Sequence, residues 1–158
     1  VAVVCAGAKC FLDIPRTLEI LESNGVPVLG YGADDFPGFY LRSSGERVPT
    51  RVDTPHQVAE LVNAHWALGG AGVVIAQPVA ASAAVDPEEL EQATAQAEKE
   101  AAARALRGHA VTPFVLGRLA DLTNGKTLRS NQALVIANAQ LAARLARVLA
   151  EQRRLGVV

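Results

Sequence analysis

Short apolar runs alternate along the chain with longer segments in which apolar residues recur at helical spacing. Three of the short runs are continuously apolar, as expected for strands buried on both faces of a parallel sheet: residues 1–4, 26–30 and 72–76. The first run is followed by Ile14, Leu18 and Leu21 on one face of a predicted helix over residues 14–24. This strand–helix–strand order predicts an α/β fold.

The ends of the predicted helices carry recognisable capping residues. Asp13 is suited to cap the first helix, and Thr54 followed by Pro55 predicts the start of a second, which runs to about residue 68. Three further helices are predicted: over residues 86–106, over residues 112–123 with Thr112 as the cap, and from about Ser130 to a charged, frayed end at residues 151–154.

We therefore expect a single domain over residues 1–158, with a mostly parallel sheet flanked by helices. Proteins seldom begin with a buried central strand, and this chain has no initiating methionine. These features lead us to expect that the chain is the C-terminal portion of a larger α/β/α domain whose upstream part is missing.

Composition and charge narrow the classes of function. The formal net charge is −1, so no broad positive surface is predicted for nucleic acid or an anionic membrane. No apolar stretch approaches the roughly 18 residues of a membrane span. Cys5 and Cys10 are too few for a disulfide framework, so we expect free thiols in a cytoplasmic protein without nucleic-acid or membrane partners.

One lysine occupies an unusual place in this pattern. Lys9 is one of only three lysines, and it follows the first apolar run among Ala6, Gly7 and Ala8. Its side chain could extend along apolar surface to solvent, which is the common arrangement. Alternatively, partial burial at the carboxyl end of a strand, where α/β proteins bind ligands, would favour the neutral amine and make Lys9 a nucleophile toward a carbonyl group. The residues alone leave both possibilities open.

Other polar groups are candidates for binding a ligand. Residues 31–50 lack a steady period and predict a long loop, in which Arg42 and Ser43 could bind a phosphate, although a solvated turn is the commoner role of such a stretch. Asn131 lies near the predicted start of the last helix and could contact a ligand, although capping is the commoner role. The three histidines have no spacing with the cysteines that indicates a zinc site.

Several blocks of sequence together resemble one family. They read VVCAGAKCFLD, DDFPGFYLRSSG, RVDTPHQVAELV, TPFVLGRLADLTNGKTLRSN and ALVIANAQLAARLA, and they occur in the order and with the spacing of the C-terminal half of the pseudouridine-5'-phosphate glycosidases. Proteins of this family are also described as indigoidine synthase A-like. The resemblance covers nearly the whole chain, and the Ala-Gly-Ala-Lys block with its following Leu-Asp is specific.

The resemblance implies an enzyme that reversibly cleaves the carbon–carbon glycosidic bond of pseudouridine 5'-phosphate to uracil and ribose 5-phosphate. Lys9 matches the family's lysine that forms a Schiff base with C1 of the opened sugar. Asn131 matches a substrate contact near the sugar phosphate, and Arg42 and Ser43 match a loop segment near the pocket.

The same resemblance implies parts that lie outside this chain. The family uses a divalent metal, typically Mn²⁺, and its metal-holding aspartate, its acidic glutamate and a phosphate-binding lysine all lie upstream of the motif that contains Lys9. No metal ligand is therefore predicted in this chain, and a homotrimer is expected for the full-length protein. Cys10 stands where serine is common in the family, and Gln77 stands where asparagine is common.

Two alternatives to this function stay open. The chain could be a catalytically silent fragment with a binding or structural role only. It could also belong to a related enzyme that acts on another sugar phosphate and base. Trapping of an imine at Lys9 would argue against the first alternative, and base release from a panel of C-nucleoside 5'-phosphates would test the second.

Overall fold

A four-stranded parallel sheet forms the centre of the molecule. The computed structural model describes residues 1–9 and 11–154. The strand order is β1-β4-β2-β3, and every neighbouring pair is parallel. The strands are β1 (Ala2–Cys5), β2 (Val28–Tyr31), β3 (Thr50–Val52) and β4 (Val73–Ala76). The predicted α/β class with a parallel sheet is confirmed.

Five α-helices surround this sheet within the described residues. They are α1 (Ile14–Ser23), α2 (Pro55–Ala67), α3 (Pro87–Ala103), α4 (Val111–Leu122) and α5 (Lys126–Arg154). Three of them begin at the capping or acidic residues that the sequence predicted. Asp13 accepts a hydrogen bond from the Arg16 amide at 2.9 Å, and Asp86 accepts one from the Glu89 amide at 3.0 Å. Thr54 forms a complete capping box with Gln57.

The helices cover the two faces of the sheet with separate clusters. On one face, α2 and α5 pack on the strands through a cluster of buried side chains: Leu29, Val52, Val58, Val62, Val73, Ile75, Leu141 and Leu145. On the other face, α1 contributes Ile14 to a smaller cluster that also contains Val28, Phe36 and Ala76. Helices α3 and α4 pack mainly on each other and on the loop at Tyr40. The central strands β4 and β2 are therefore covered by helices on both faces. The prediction that the first strand is a buried central one is wrong for the described sheet, because β1 lies at its edge and Val3 is 49% exposed.

Helix α5 is long and apolar enough, by length and composition, to cross a membrane. One side of it nevertheless packs against the rest of the described protein, through Leu134, Leu141, Leu145 and Val148. The largely opposite side exposes Leu128, Val135 and Ile136. The first of these two stripes buries one face of α5. By length and composition, the expectation that no stretch approaches a membrane span is wrong for this helix.

Leu141 provides a test of this packing. The side chain is fully buried between α5 and the sheet, whereas Leu128 on the same helix is 53% exposed. We expect Leu141→Ala to lower the free energy of unfolding by about 2–5 kcal/mol, because it removes apolar contacts and leaves a cavity. Leu128→Ala should change it by no more than about 0.5 kcal/mol. Urea denaturation of the two variants measures the difference, and equal effects would contradict the placement of α5.

Several sequence predictions are wrong in detail. Strand β3 was not predicted, and it begins at Thr50, where the segment expected to be an irregular loop ends. Thr112 does not cap α4, because a 3-10 turn at Gly108–Ala110 leads directly into the helix. Helix α5 starts at Lys126, four residues before Ser130, because positive φ angles at Asn124 and Gly125 reverse the chain within two residues.

Candidate functional site

The carboxyl ends of β1 and β4 lie side by side and bring two segments of the chain together. Cys5 pairs with Ala76 at the end of the ladder, and the Gln77 amide extends it by donating to the Cys5 carbonyl at 2.9 Å. Residues 6–9 and 77–80 therefore leave the sheet at the same edge. In open parallel sheets, this carboxyl edge is where ligands bind.

A loop closes tightly over the backbone that leads from β1 to Lys9. The Phe39 amide donates to the Ala6 carbonyl at 3.0 Å, and Gly7 forms a β-bridge with Gly38. Gly7 has a φ of +83°, and a Cβ atom at this position would overlap the Pro37 carbonyl oxygen. Only glycine meets both demands, so the glycine of the Ala-Gly-Ala-Lys block has a structural reason.

Lys9 lies in the connection between β1 and α1 and is half-buried. Its carbonyl accepts a hydrogen bond from the Leu12 amide at 2.9 Å, which closes a turn just before the cap of α1. Across residues 1–9 and 11–154, no ion pair or hydrogen bond engages the Lys9 ammonium group. The amine thus has no structural task among these residues, and its role as a nucleophile stays a prediction.

The cysteine near Lys9 is poorly suited to nucleophilic chemistry. Burial raises the pKa of the Cys5 thiol above its ordinary value, because the thiolate is disfavoured away from water. A hydrogen bond from the Gly7 backbone opposes this effect only in part. Cys5 therefore stays a thiol at neutral pH. Cys10 lies outside the described residues.

Arg42 and Ser43 are neighbours in sequence but have different surroundings. Nη1 of Arg42 donates to the Val79 carbonyl at 2.8 Å, which ties the loop to the segment that follows β4. The Ser43 hydroxyl donates to Asp35 at 2.8 Å and accepts a hydrogen bond from the Gly45 amide at 3.0 Å. The structure brings Arg42 to the carboxyl edge, whereas these contacts hold Ser43 within its own loop. Contact of either residue with a substrate stays a prediction.

Asn131 reaches the same edge by way of α5. It lies inside the helix rather than at its start, so the alternative that Asn131 caps the helix is wrong. Leu134, which follows it on the same helical face, packs with Ala6 and Val79. Asn131 is half-buried, and the packing of Leu134 one turn away places it near the segments that leave β1 and β4.

The structure adds an amide pair that sequence reasoning did not find. Nε2 of Gln77 donates to Oδ1 of Asn138 at 2.9 Å, and both side chains are partly buried. Asn138 follows Leu134 by one helical turn and Asn131 by about two. The seven-residue spacing of the two asparagines was the only signal of this arrangement, because Gln77 lies 61 residues away from Asn138 in the chain.

A buried hydroxyl adjoins Asn131. Ser130 is 1% exposed, and its hydroxyl has no hydrogen-bond partner among the described residues. A buried hydroxyl without a partner costs about 1–3 kcal/mol. The start of α5 thus holds a polar group whose bonding capacity is unused within this part of the chain.

Within the described residues, no three histidine, cysteine, aspartate or glutamate side chains come together as possible metal ligands. This part of the chain therefore offers no ligand cluster of its own to a metal.

A cavity of about 590 Å³ lies elsewhere, at the amino edge of the sheet. Its walls come from α1, from the start of β2, from the loop before β3 and from α2, and they include Leu18, Glu22, Val26, Arg47 and His65. None of the predicted site residues lines it. Because ligands of open parallel sheets bind at the carboxyl edge, we regard the surroundings of Lys9 as the candidate site.

These observations define a class: a parallel α/β domain whose candidate ligand site is formed where β1, β4 and the start of α5 meet. The sequence profile of the indigoidine synthase A like protein family matches residues 1–148, and the chain belongs to this family.

Two relatives show how much of the family's length this chain represents. It is 48% identical over 147 residues to the pseudouridine-5'-phosphate glycosidase of Solibacter usitatus, which is 92% of this chain and 49% of the relative. It is 50% identical over 157 residues to the protein of the same name from Methylobacterium nodulans, which is 99% of this chain and 47% of the relative. The chain thus spans about half the length of these relatives.

Two solved structures also match this chain over about half of their own length. The prealnumycin C-glycosynthase AlnA, in complex with ribulose 5-phosphate, superposes with a TM-score of 0.89 at 32% identity, over 98% of this chain and 51% of AlnA. An indigoidine synthase A-like protein from Thermotoga maritima superposes with a TM-score of 0.82 at 32% identity, over 92% of this chain and 48% of that protein. The fold and the sequence therefore assign the same family.

Proposed function

We propose that this chain is the C-terminal half of a pseudouridine-5'-phosphate glycosidase, a cytoplasmic enzyme that reversibly cleaves pseudouridine 5'-phosphate to uracil and ribose 5-phosphate. The observation that carries the proposal is the identity of 48–50% to proteins of this name over 92–99% of the chain. A related C-glycosynthase with a bound sugar phosphate lends support to the substrate class.

The chemistry assigned to Lys9 follows from the bond that must break. A carbon–carbon bond to a base has a poor leaving group, so direct hydrolysis of the kind used on O-glycosides is ineffective. In the proposed reaction, the Lys9 amine attacks C1 of the sugar and displaces the ring oxygen, which takes up a proton. The nitrogen lone pair then forms a C1 iminium as the C1–uracil bond breaks. The electron pair of that bond stays with the uracil carbon, which takes up a proton. Water hydrolyses the iminium to ribose 5-phosphate and free Lys9.

The other site residues act by binding in this proposal. Arg42 keeps guanidinium N–H groups besides Nη1 that can donate to a phosphate, while its contact with Val79 holds the side chain near the carboxyl edge. Asn131 contacts the substrate near the sugar phosphate from α5. Ser43 acts indirectly, since its contacts with Asp35 and Gly45 shape the loop that carries Arg42.

The remaining catalytic parts belong to the half of the family that this chain does not match. We propose that this half supplies the Mn²⁺ ligand and the acid that protonates the leaving base, and that the complete protein is a homotrimer. The unused Ser130 hydroxyl fits contact with another part of the protein.

A chimera tests this function. It joins this chain behind the unmatched half of the Solibacter usitatus relative, which is 48% identical in the part that this chain replaces. With Mn²⁺ present, we expect release of uracil from pseudouridine 5'-phosphate, followed by its ultraviolet spectrum, and little release by this chain alone. Uracil release that is no faster than without protein would contradict the proposal.

The family relationship to AlnA makes a second substrate class worth testing. A panel of C-nucleoside 5'-phosphates with different bases should show the highest kcat/KM for pseudouridine 5'-phosphate. A clear preference for another base would assign the chain to a related C-glycosidic enzyme instead.

A further inference from the structure

The amide pair of Gln77 and Asn138 is built into the carboxyl edge of the sheet. The Gln77 backbone is fixed by its hydrogen bond to the Cys5 carbonyl, so its side chain starts from a defined position. Asn138 is fixed by α5, whose neighbouring residue Leu134 packs on Ala6 and Val79. The 2.9 Å hydrogen bond between the two side chains therefore joins two rigid elements.

This pair leaves a specific pattern of hydrogen-bonding groups unused. Gln77 spends one N–H on Asn138, and among the described residues its Oε1 has no partner. Asn138 accepts that bond through Oδ1, and its Nδ2 likewise has no partner there. The two joined side chains thus keep an acceptor, Oε1 of Gln77, and a donor, Nδ2 of Asn138, besides the second N–H of Gln77, and turning both amides over would exchange donor and acceptor between the two residues.

The pair also lies at a suitable distance from the proposed sugar-phosphate contact. Asn131 and Asn138 are seven residues apart on one helix, which corresponds to about 10 Å along its axis. A nucleoside monophosphate has a comparable length between its phosphate and the far edge of its base. Gln77 directly follows β4, which is paired with β1. The chain continues from the end of β1 to Lys9.

We propose that Gln77 and Asn138 recognise the base, by pairing their free acceptor and donor with the N–H and C=O groups of an imide such as uracil. The proposal rests on the function proposed above and adds the determinant of base specificity to it. An imide edge alternates N–H and C=O groups, so a fixed acceptor–donor pair is complementary to it. Neither residue takes part in covalent chemistry, and both are specificity determinants.

The test uses the chimera in the direction of synthesis, with uracil and ribose 5-phosphate varied separately. We expect Gln77→Leu to raise the KM for uracil at least about tenfold, because one hydrogen bond to the base is lost. The KM for ribose 5-phosphate should stay within about twofold. The unsubstituted protein should also reject 3-methyluracil, which lacks the imide N–H, and Gln77→Leu should lose much of this discrimination.

Asn63 offers a matched control. Its Nδ2 donates to Oε1 of Gln152 at 2.7 Å, so it forms a second partly buried Asn–Gln pair, between α2 and α5. Asn63→Leu should leave the KM for uracil unchanged. Gln77→Glu, which keeps the shape of the side chain but removes its amide N–H groups, serves if Gln77→Leu does not fold, and a rise in the KM for uracil alone is again expected.

Other outcomes would overturn the proposal. Equal rises in both KM values, or no rise in either, would assign Gln77 to the packing of α5. If the chimera forms no product, the proposed function fails separately, and calorimetric titration with uracil still tests the pair. Binding of uracil that Gln77→Leu leaves unchanged, or no binding at all, would then refute it.

Discussion

Replacing Lys9 with arginine is expected to lower kcat/KM of the chimera for pseudouridine 5'-phosphate by at least about a thousandfold. Arginine keeps the positive charge and much of the length of lysine, but its guanidinium is always protonated and cannot form an imine with C1. The loss would therefore report on the amine rather than on charge. Lys9→Ala should have the same effect, and circular dichroism should show that both variants keep the fold.

The position of Lys9 explains why the effect should be confined to chemistry. Among the described residues its side chain has neither an ion pair nor a hydrogen bond, so no polar contact within this part of the fold is lost. Lys99→Arg, at an exposed position on α3, is the matched control and should leave turnover unchanged. Borohydride reduction with ribose 5-phosphate should add one sugar phosphate to the unsubstituted protein and none to Lys9→Arg. Undiminished turnover by Lys9→Arg would end the imine mechanism.

The sequence predicted those strands that are marked by the residues of their own segment. β1, β2 and β4 are continuous apolar runs, and the structure places them within about two residues of the predicted bounds. β3 has only three residues, of which Thr50 and Arg51 are exposed. It forms because it pairs with β2 at the edge of the sheet, and such a contact leaves no periodic pattern in its own segment.

Helix ends were likewise predicted where a nearby side chain caps the helix, and missed where backbone angles set its start. Asp13 and Thr54 act through side chains that bond within three residues, so their sequence context suffices to predict them. The start of α5 depends instead on the backbone angles of Asn124 and Gly125, which place the helix four residues earlier than Ser130. A turn that short offers little composition from which to predict it.

In the candidate site too, a feature within one segment was predicted, and a contact between distant segments was not. The Ala-Gly-Ala-Lys block is contiguous, and a lysine after a buried strand directs attention to the carboxyl edge. The pairing of Gln77 with Asn138 is different, because a hydrogen bond across 61 residues depends on how α5 crosses the sheet. Sequence reasoning therefore found the proposed nucleophile but not the amide pair.

Gly7→Ala is expected to lower the free energy of unfolding by about 2–5 kcal/mol. Two costs add up at this position: a left-handed φ costs an alanine about 1–2 kcal/mol, and displacing a packed neighbour costs about 1–3 kcal/mol. The neighbour is the Pro37 carbonyl, which belongs to backbone and cannot rotate away as a side chain would. Urea denaturation of this chain measures the loss.

Gly69→Ala is the control that carries only the cost of the left-handed backbone. It has the same φ of +83°, but a Cβ atom there would meet nothing within 4 Å. Gly69→Ala should therefore cost only the 1–2 kcal/mol of the left-handed backbone, or roughly half as much as Gly7→Ala. Equal losses would show that the loop at Pro37 yields without cost. In that case the loop would not fix the backbone that leads to Lys9, and the rigidity of the candidate site would need another source.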